Sequence, residues 1–259
     1  SFAVGLRIEH PQKWIDHSQY RQHAGHPKLG AANYRLAAHN QQTDIGVYSF
    51  CMCPGGYVLS SGTEADGLVC NGMSNFRRNS PFANAAIVVT VDHNKSFGPQ
   101  NLFGGLHWRR DLEQKAFQVV QTRGGTKELP VQKVTDFLDR RLGDALDGSC
   151  PSGSIASRLD EILPPSLYES MCWGLGEFDR SIRGFVSAEA QFYGIETRTS
   201  CPVRVLRDPV SLESLSHPGL YPTGEGAGYA GGITSAACDG IKVAEALANK
   251  VAAQFLEQK

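Results

Sequence analysis

Apolar residues recur along this chain at two spacings, and the change from one to the other marks its elements. Phe2-Ala-Val-Gly-Leu-Arg-Ile8 is a nearly continuous apolar run, the pattern of a buried strand. His10-Pro11 ends it, and Pro11 suits the first turn of a helix reaching about Tyr20. Residues 21–46 are rich in His, Gly, Asn and Gln and read as irregular, with one strand candidate at 33–38. Val47–Cys53 and Tyr57–Ser60 flank Pro54-Gly55-Gly56, which predicts a β-hairpin. Residues 68–73 and 85–91 read as further strands.

Helical spacing takes over at 104–121, with Leu106, Leu112, Ala116, Phe117 and Val120 on one side. Residues 130–138 read as a short strand or helix end, and 139–157 as a loop. A helical turn is expected within 155–163, and Pro165 opens a helix reaching 174 or 183. Residues 188–195 and 203–207 read as strands joined to a connecting loop at 208–216. Ile233, Ala236, Ala237, Ile241, Ala244, Leu247, Ala248, Val251 and Phe255 predict a last, long helix. Paired strands mixed with helices predict an α+β (mixed α/β) fold, with a mixed or antiparallel sheet and flanking helices.

Composition adds bounds. The 259 residues are 41% hydrophobic and 20% charged, enough for one large domain or two smaller ones. A net charge of −1 gives no footprint for nucleic acid or an anionic membrane. No apolar run approaches the roughly 20 residues that span a bilayer, and the first residues lack a basic signal region. Cysteines at 51, 53, 70, 150, 172, 201 and 238 are odd in number and dispersed. They fit reduced thiols in a cytoplasmic protein better than a disulfide framework. The chain lacks an initial Met and opens inside a strand, which reads as a piece of a longer protein.

The chemistry-bearing stretch lies near the end. A short apolar run, Leu220 to Pro222, leads into glycines at 224, 226, 228, 231 and 232, with Glu225 embedded among them and the long helix following. Strand, glycine turn and helix N-terminus together present backbone N–H groups to an anion. Gly226, Gly228 and Gly231 form a G-x-G-x-x-G, a weak pattern by itself. The helix runs on to the end of the chain, no second strand follows, and Glu245 falls inside the helix. This is therefore not the opening unit of a dinucleotide-binding fold. A tight turn whose glycines serve only packing is the plainer alternative.

Tyr221-Pro-Thr-Gly-Glu-Gly-Ala-Gly-Tyr-Ala-Gly-Gly-Ile233 and the following Ser235–Ala246 resemble the FAD-dependent dehydrogenase family, two-dinucleotide-fold flavoproteins often labelled NAD(FAD)-utilising dehydrogenases. The likeness extends to Gly194–Asp208, Phe2–Pro11, Ala24–Gly30 and Tyr48–Gly56. It implies that Glu225 contacts ribityl or ribose hydroxyls of FAD and that the amides of Gly231 to Ile233 approach the ribityl chain or flavin edge. Gly224, Glu225, Gly226, Gly228, Gly231, Gly232 and Ile233 are thus the expected cofactor-binding residues. The resemblance also implies residues 1–9 as a strand of the flavin domain, 10–195 as an inserted substrate-type domain, and 196–259 as the rest of the flavin domain. The N-terminal ADP-binding unit of such proteins is missing from residues 1–60, so the chain is expected to be the C-terminal portion. Its expected partners are that missing segment and a small-molecule substrate, with NAD(P)H a further candidate.

Other residues carry weaker signals. Arg198 and Arg204 are candidates for an anionic substrate or second nucleotide, or for structural ion pairs. Cys51-Met-Cys53 reads as a redox or metal pair or, in preference, as two small packed residues beside a turn. His17, His23 and His26 read as surface or turn histidines. The expected activity is hydride transfer between flavin and an organic substrate by the parent protein. The alternative is a non-catalytic module whose glycine turn holds a phosphate-bearing ligand or only packs.

Overall fold

A computed structural model of the protein describes residues 1–62 and 64–257. Its elements run β1 (Phe2–Pro11), α1 (Gln12–Tyr20), β2 (Ala37–Asn40), β3 (Ile45–Cys53), β4 (Gly56–Ser60), β5 (Cys70–Ser74), β6 (Phe82–Val91), α2 (His93–Phe97) and α3 (Gly104–Gln121). They continue with β7 (Leu129–Lys133), α4 (Val134–Leu138), β8 (Ser154–Ala156), α5 (Leu159–Ile162), α6 (Pro165–Ser181), β9 (Gln191–Glu196) and α7 (Ile233–Glu257). The chain divides into two compact units, Ala3–Val91 with His107–Thr197, and Ser1–Phe2 with Asp92–Leu106 and Arg198–Lys259.

The larger unit is built on a seven-stranded sheet ordered β2-β3-β6-β1-β9-β7-β8, beside a two-stranded sheet of β4 and β5. β1 pairs with β9, β3 with β2 and β6, and β7 with β9, all antiparallel, while β7 and β8 run parallel. The expected α+β class with a mostly antiparallel sheet is what the chain forms. Central β1 and β6 are buried along almost their whole length, which is why both read as unbroken apolar runs.

Against β2, β3 and β6 lies α6. Its Pro165 occupies the first turn, where a missing N–H costs nothing. Leu167, Met171, Leu175 and Phe178 follow at helical spacing and are all buried. Each such side chain stabilises the unit by about 1.5–3 kcal/mol.

Three expectations are corrected. Val47–Cys53 and Tyr57–Ser60 do not form a hairpin, because β4 pairs with β5 and not with β3. The chain leaves the large sheet at an irregularity between Phe50 and Cys53, and the amide of Gly55 is taken by Gln12 Oε1 at 2.6 Å. The strand expected at 33–38 forms later, at Ala37–Asn40. No strand forms at 203–207. Arg207 makes a single bridge with Ser214, and the Val205 amide goes to the carbonyl of Ala227 at 3.1 Å.

Gly5 to Glu9 of β1 pair with β9 inside the larger unit's sheet. Residues 92–106 join the smaller unit. β1 is the middle strand of an otherwise complete sheet, so its pairing partners decide its place.

Candidate functional site

The glycine stretch forms a compact turn in the smaller unit, ahead of the 25-residue α7. Glycine is required at two places. Gly224 has φ +70°, and Gly228 has φ +82° with space for a Cβ only 2.5 Å from the carbonyl oxygen of Val203. Gly228 N donates to Glu225 O at 2.9 Å and Tyr229 N to Gly224 O at 3.0 Å, closing the loop on itself.

Three side chains hold this turn to its unit. Asp239, on the second turn of α7, accepts from Gly224 N at 2.9 Å and pairs with both terminal nitrogens of Arg207, at 3.0 and 2.6 Å. Arg207 Nη1 also donates to Pro222 O at 2.7 Å, and the guanidinium lies 3.7 Å from the Tyr229 ring centroid. Hydrogen bonding from Arg207, with the Gly224 amide and the positive charge, holds the Asp239 carboxyl below its usual range. Neither Arg207 nor Asp239 was singled out from the sequence. Their signal is the spacing of an acid one to two turns into a helix behind a glycine loop.

Other backbone groups in the turn are left over. Among the described residues, the amides of Gly226, Gly231 and Ile233 have no hydrogen-bond partner. Glu225, Gly226 and Ile233 are exposed, and Gly231 and Gly232 are half-buried. Nothing lies within 4 Å of the place a Cβ would take on Gly226. Gly232 N is taken by Ser235 Oγ at 3.2 Å, a local cap of the helix start. Backbone donors are thus left over both in the glycine turn and at the start of α7.

The two arginine candidates separate. Arg204 Nε donates to Gly228 O at 3.0 Å, and its guanidinium lies 5.0 Å from the Tyr229 ring, so it braces the turn. Arg198 is exposed, ahead of the turn in the same unit. The long helix is as expected, but most of its large apolar residues are not buried. Val243 is buried, whereas Ile233, Ile241, Leu247, Val251 and Phe255 are exposed.

The larger unit holds a second polar cluster, which the sequence reading did not single out. Arg7 is fully buried and pairs bidentately with Glu196, Nε to Oε2 at 2.9 Å and Nη2 to Oε1 at 2.8 Å. Its Nη1 donates to Asn84 Oδ1 at 2.9 Å and to Cys51 O at 3.2 Å. Gly72 leaves room for this guanidinium, since a Cβ there would sit 2.3 Å from Nη1. The signal was present, because a lone arginine in an unbroken apolar strand needs a buried partner. His17, His23 and His26 are exposed, and no group of three metal-binding side chains converges among the described residues.

Residues 1–199 match the family model described as FAD-dependent protein, C-terminal domain-like. The matched stretch ends before the glycine turn. An uncharacterized protein of Clostridium beijerinckii is 47% identical over 253 residues, which cover 96% of this chain and 46% of that protein. The chain therefore spans about half the length of the curated relative it matches.

Proposed function

We propose, for a chain that belongs to the FAD-dependent protein, C-terminal domain-like family, that it is the C-terminal portion of an FAD-dependent oxidoreductase and supplies its flavin-facing turn. The observation that carries this reading is that, among the described residues, the amides of Gly226, Gly231 and Ile233 have no partner, in the stretch that also holds the exposed Glu225. Such amides at a helix start suit an anionic ring edge, and the carboxylate suits ribityl or ribose hydroxyls. The open space at Gly226 lets backbone approach a ligand. FAD, when bound, supplies hydride transfer with an organic substrate, and NAD(P)H is the proposed donor. The chain's own residues bind and orient, with Gly224, Gly228 and Gly232 shaping the turn.

The ADP-binding unit is proposed to lie in the N-terminal half that the longer relative possesses. Support comes from α7. Ile233, Ile241, Leu247, Val251 and Phe255 fall within about 120° of its circumference and are all exposed. An apolar stripe of that width marks a surface that another segment covers. A cytoplasmic setting is supported by seven free cysteines. Among the described residues no helix is long and apolar enough to cross a membrane.

Calorimetric titration of FAD tests the reading at two lengths. The longer protein is expected to bind flavin stoichiometrically, and the present chain weakly or not at all. A longer protein that ignores added FAD contradicts the proposal. Binding by the present chain at about −8 kcal/mol or better contradicts the assignment of the ADP grip to the missing half.

A further inference from the structure

Cys51 and Cys53 differ in a way the sequence did not predict, since Cys51 is exposed and Cys53 is buried. They sit on β3 at its irregularity, with Cys51 at φ +47°, a left-handed conformation that a β-carbon disfavours. In a regular strand, residues i and i+2 stand about 6.6 Å apart, near the upper limit for a disulfide. The Cys53 thiol reaches back to the Cys51 carbonyl oxygen at 3.3 Å.

The surroundings favour a thiolate on the outer cysteine. The charged and titratable groups facing it are Cys53, Arg7 and Glu196. The hydrogen bond from Cys53 and then the Arg7 charge lower the Cys51 pKa, against burial and Glu196, which raise it. The same pairing, with burial, raises that of Cys53, so the inner thiol keeps its proton. Cys51 also lines a groove of about 690 Å³ within the larger unit, with Tyr34, Arg35, His39, Tyr48 and Phe50. Arg35 is exposed there, a cation for a carboxylate. The buried hydroxyl of Tyr34 has no hydrogen-bond partner among the described residues.

We infer that Cys51 and Cys53 form a thiol–disulfide exchange site, with Cys51 the attacking thiolate, Cys53 the resolving thiol, and a small carboxylate-bearing disulfide as substrate in this groove. The Cys51 thiolate attacks one sulfur of the substrate, forming a mixed disulfide and expelling the other half as a thiolate. Cys53 then loses its proton to solvent and attacks Cys51 Sγ. The Cys51–Cys53 disulfide forms, and the second half leaves as a thiolate. Across the two steps one disulfide is reduced to two thiols and the protein dithiol is oxidised. The site is independent of the flavin-facing turn, so either reading stands if the other fails.

The test uses the reduced chain and glutathione disulfide, followed by mass spectrometry with peptide mapping. Wild type is expected to release two equivalents of glutathione and end with an internal Cys51–Cys53 disulfide and no lasting adduct. Cys53→Ser is expected to stop at a mixed disulfide on Cys51, and Cys51→Ser to release no glutathione from this site. Cys51 is expected to react with iodoacetamide at pH 7 about tenfold faster than the exposed Cys238. Glutathione adducts that accumulate on Cys238 but not on Cys51 would overturn the inference. So would a Cys53→Ser protein that traps nothing, or equal alkylation rates at the two cysteines.

Discussion

One carboxylate oxygen of Asp239 takes both the Arg207 Nη1 donor at 3.0 Å and the Gly224 amide at 2.9 Å. The last helix and the glycine turn are joined through that atom. Both partners are mostly buried, with side-chain exposures of 9% for Arg207 and 12% for Asp239. The turn's shape therefore depends on a residue fifteen positions downstream of it.

Asp239→Ala removes that joint and leaves a buried guanidinium short of its partner. Local stability of the turn is expected to fall by about 2–3 kcal/mol. Hydrogen exchange at residues 222–229 reads this directly, with protection lost there and retained in β1 and β6. Unchanged protection at Gly228 and Tyr229 would show the turn holds without Asp239.

Gly228→Ala and Gly226→Ala separate shape from ligand approach. A Cβ at 228 collides with the Val203 carbonyl and carries the strain of a positive φ. That variant is expected to lose about 1–3 kcal/mol locally. Gly226→Ala meets nothing and should leave the fold intact, within about 0.5 kcal/mol. In the longer protein it should nonetheless weaken flavin binding. Equal effects of the two on both fold and flavin would contradict this division.

Arg7→Met strands Glu196 in the core of the larger unit and is expected to cost about 3–5 kcal/mol. The double variant Arg7→Met, Glu196→Leu should recover most of that loss, because no charge is then left without a partner. Urea unfolding at neutral pH measures both. A double variant no better than the single would mean the guanidinium matters through Asn84 and the Cys51 carbonyl instead.

His10 gives a pH dependence. It is fully buried between Trp14 and Phe185, with ring centroids at 5.0 and 4.7 Å, and Nε2 lies 2.9 Å from Phe185 O. Burial lowers its pKa to about 4. Unfolded chains then bind more protons than folded ones between that value and the ordinary 6.5. Stability is full above that window and falls as pH falls through it, by about 3 kcal/mol at its lower end. His10→Asn should flatten this slope in a series of denaturant midpoints, whatever it does to the stability at pH 7.

The sequence carried most of the elements, because buried strands such as β1 and β6 and the faces of α3 and α6 have clear periods. It failed where long-range pairing decides. Tyr57–Ser60 looks like the return strand of a hairpin, yet Cys70–Ser74 competes for its edge and wins. Val203–Arg207 has β-like composition, but its polar groups are consumed by the glycine turn. In that turn the glycines were readable from their density. Asp239 was not, because one acid on an amphipathic helix looks like a solvated face until its partner is placed. Cys51 and Cys53 read as two packed residues beside a turn, but only Cys53 is buried, and Cys51 is exposed in a left-handed conformation that composition does not announce.

The most direct measurement is flavin content in the longer protein, purified without added cofactor, alongside its Glu225→Ala variant. The account predicts a yellow wild type with about one flavin per chain, and a folded variant whose affinity for FAD is at least about tenfold weaker, about 1.4 kcal/mol. A colourless wild type that does not take up FAD, or a variant that holds flavin as tightly as wild type, would contradict it.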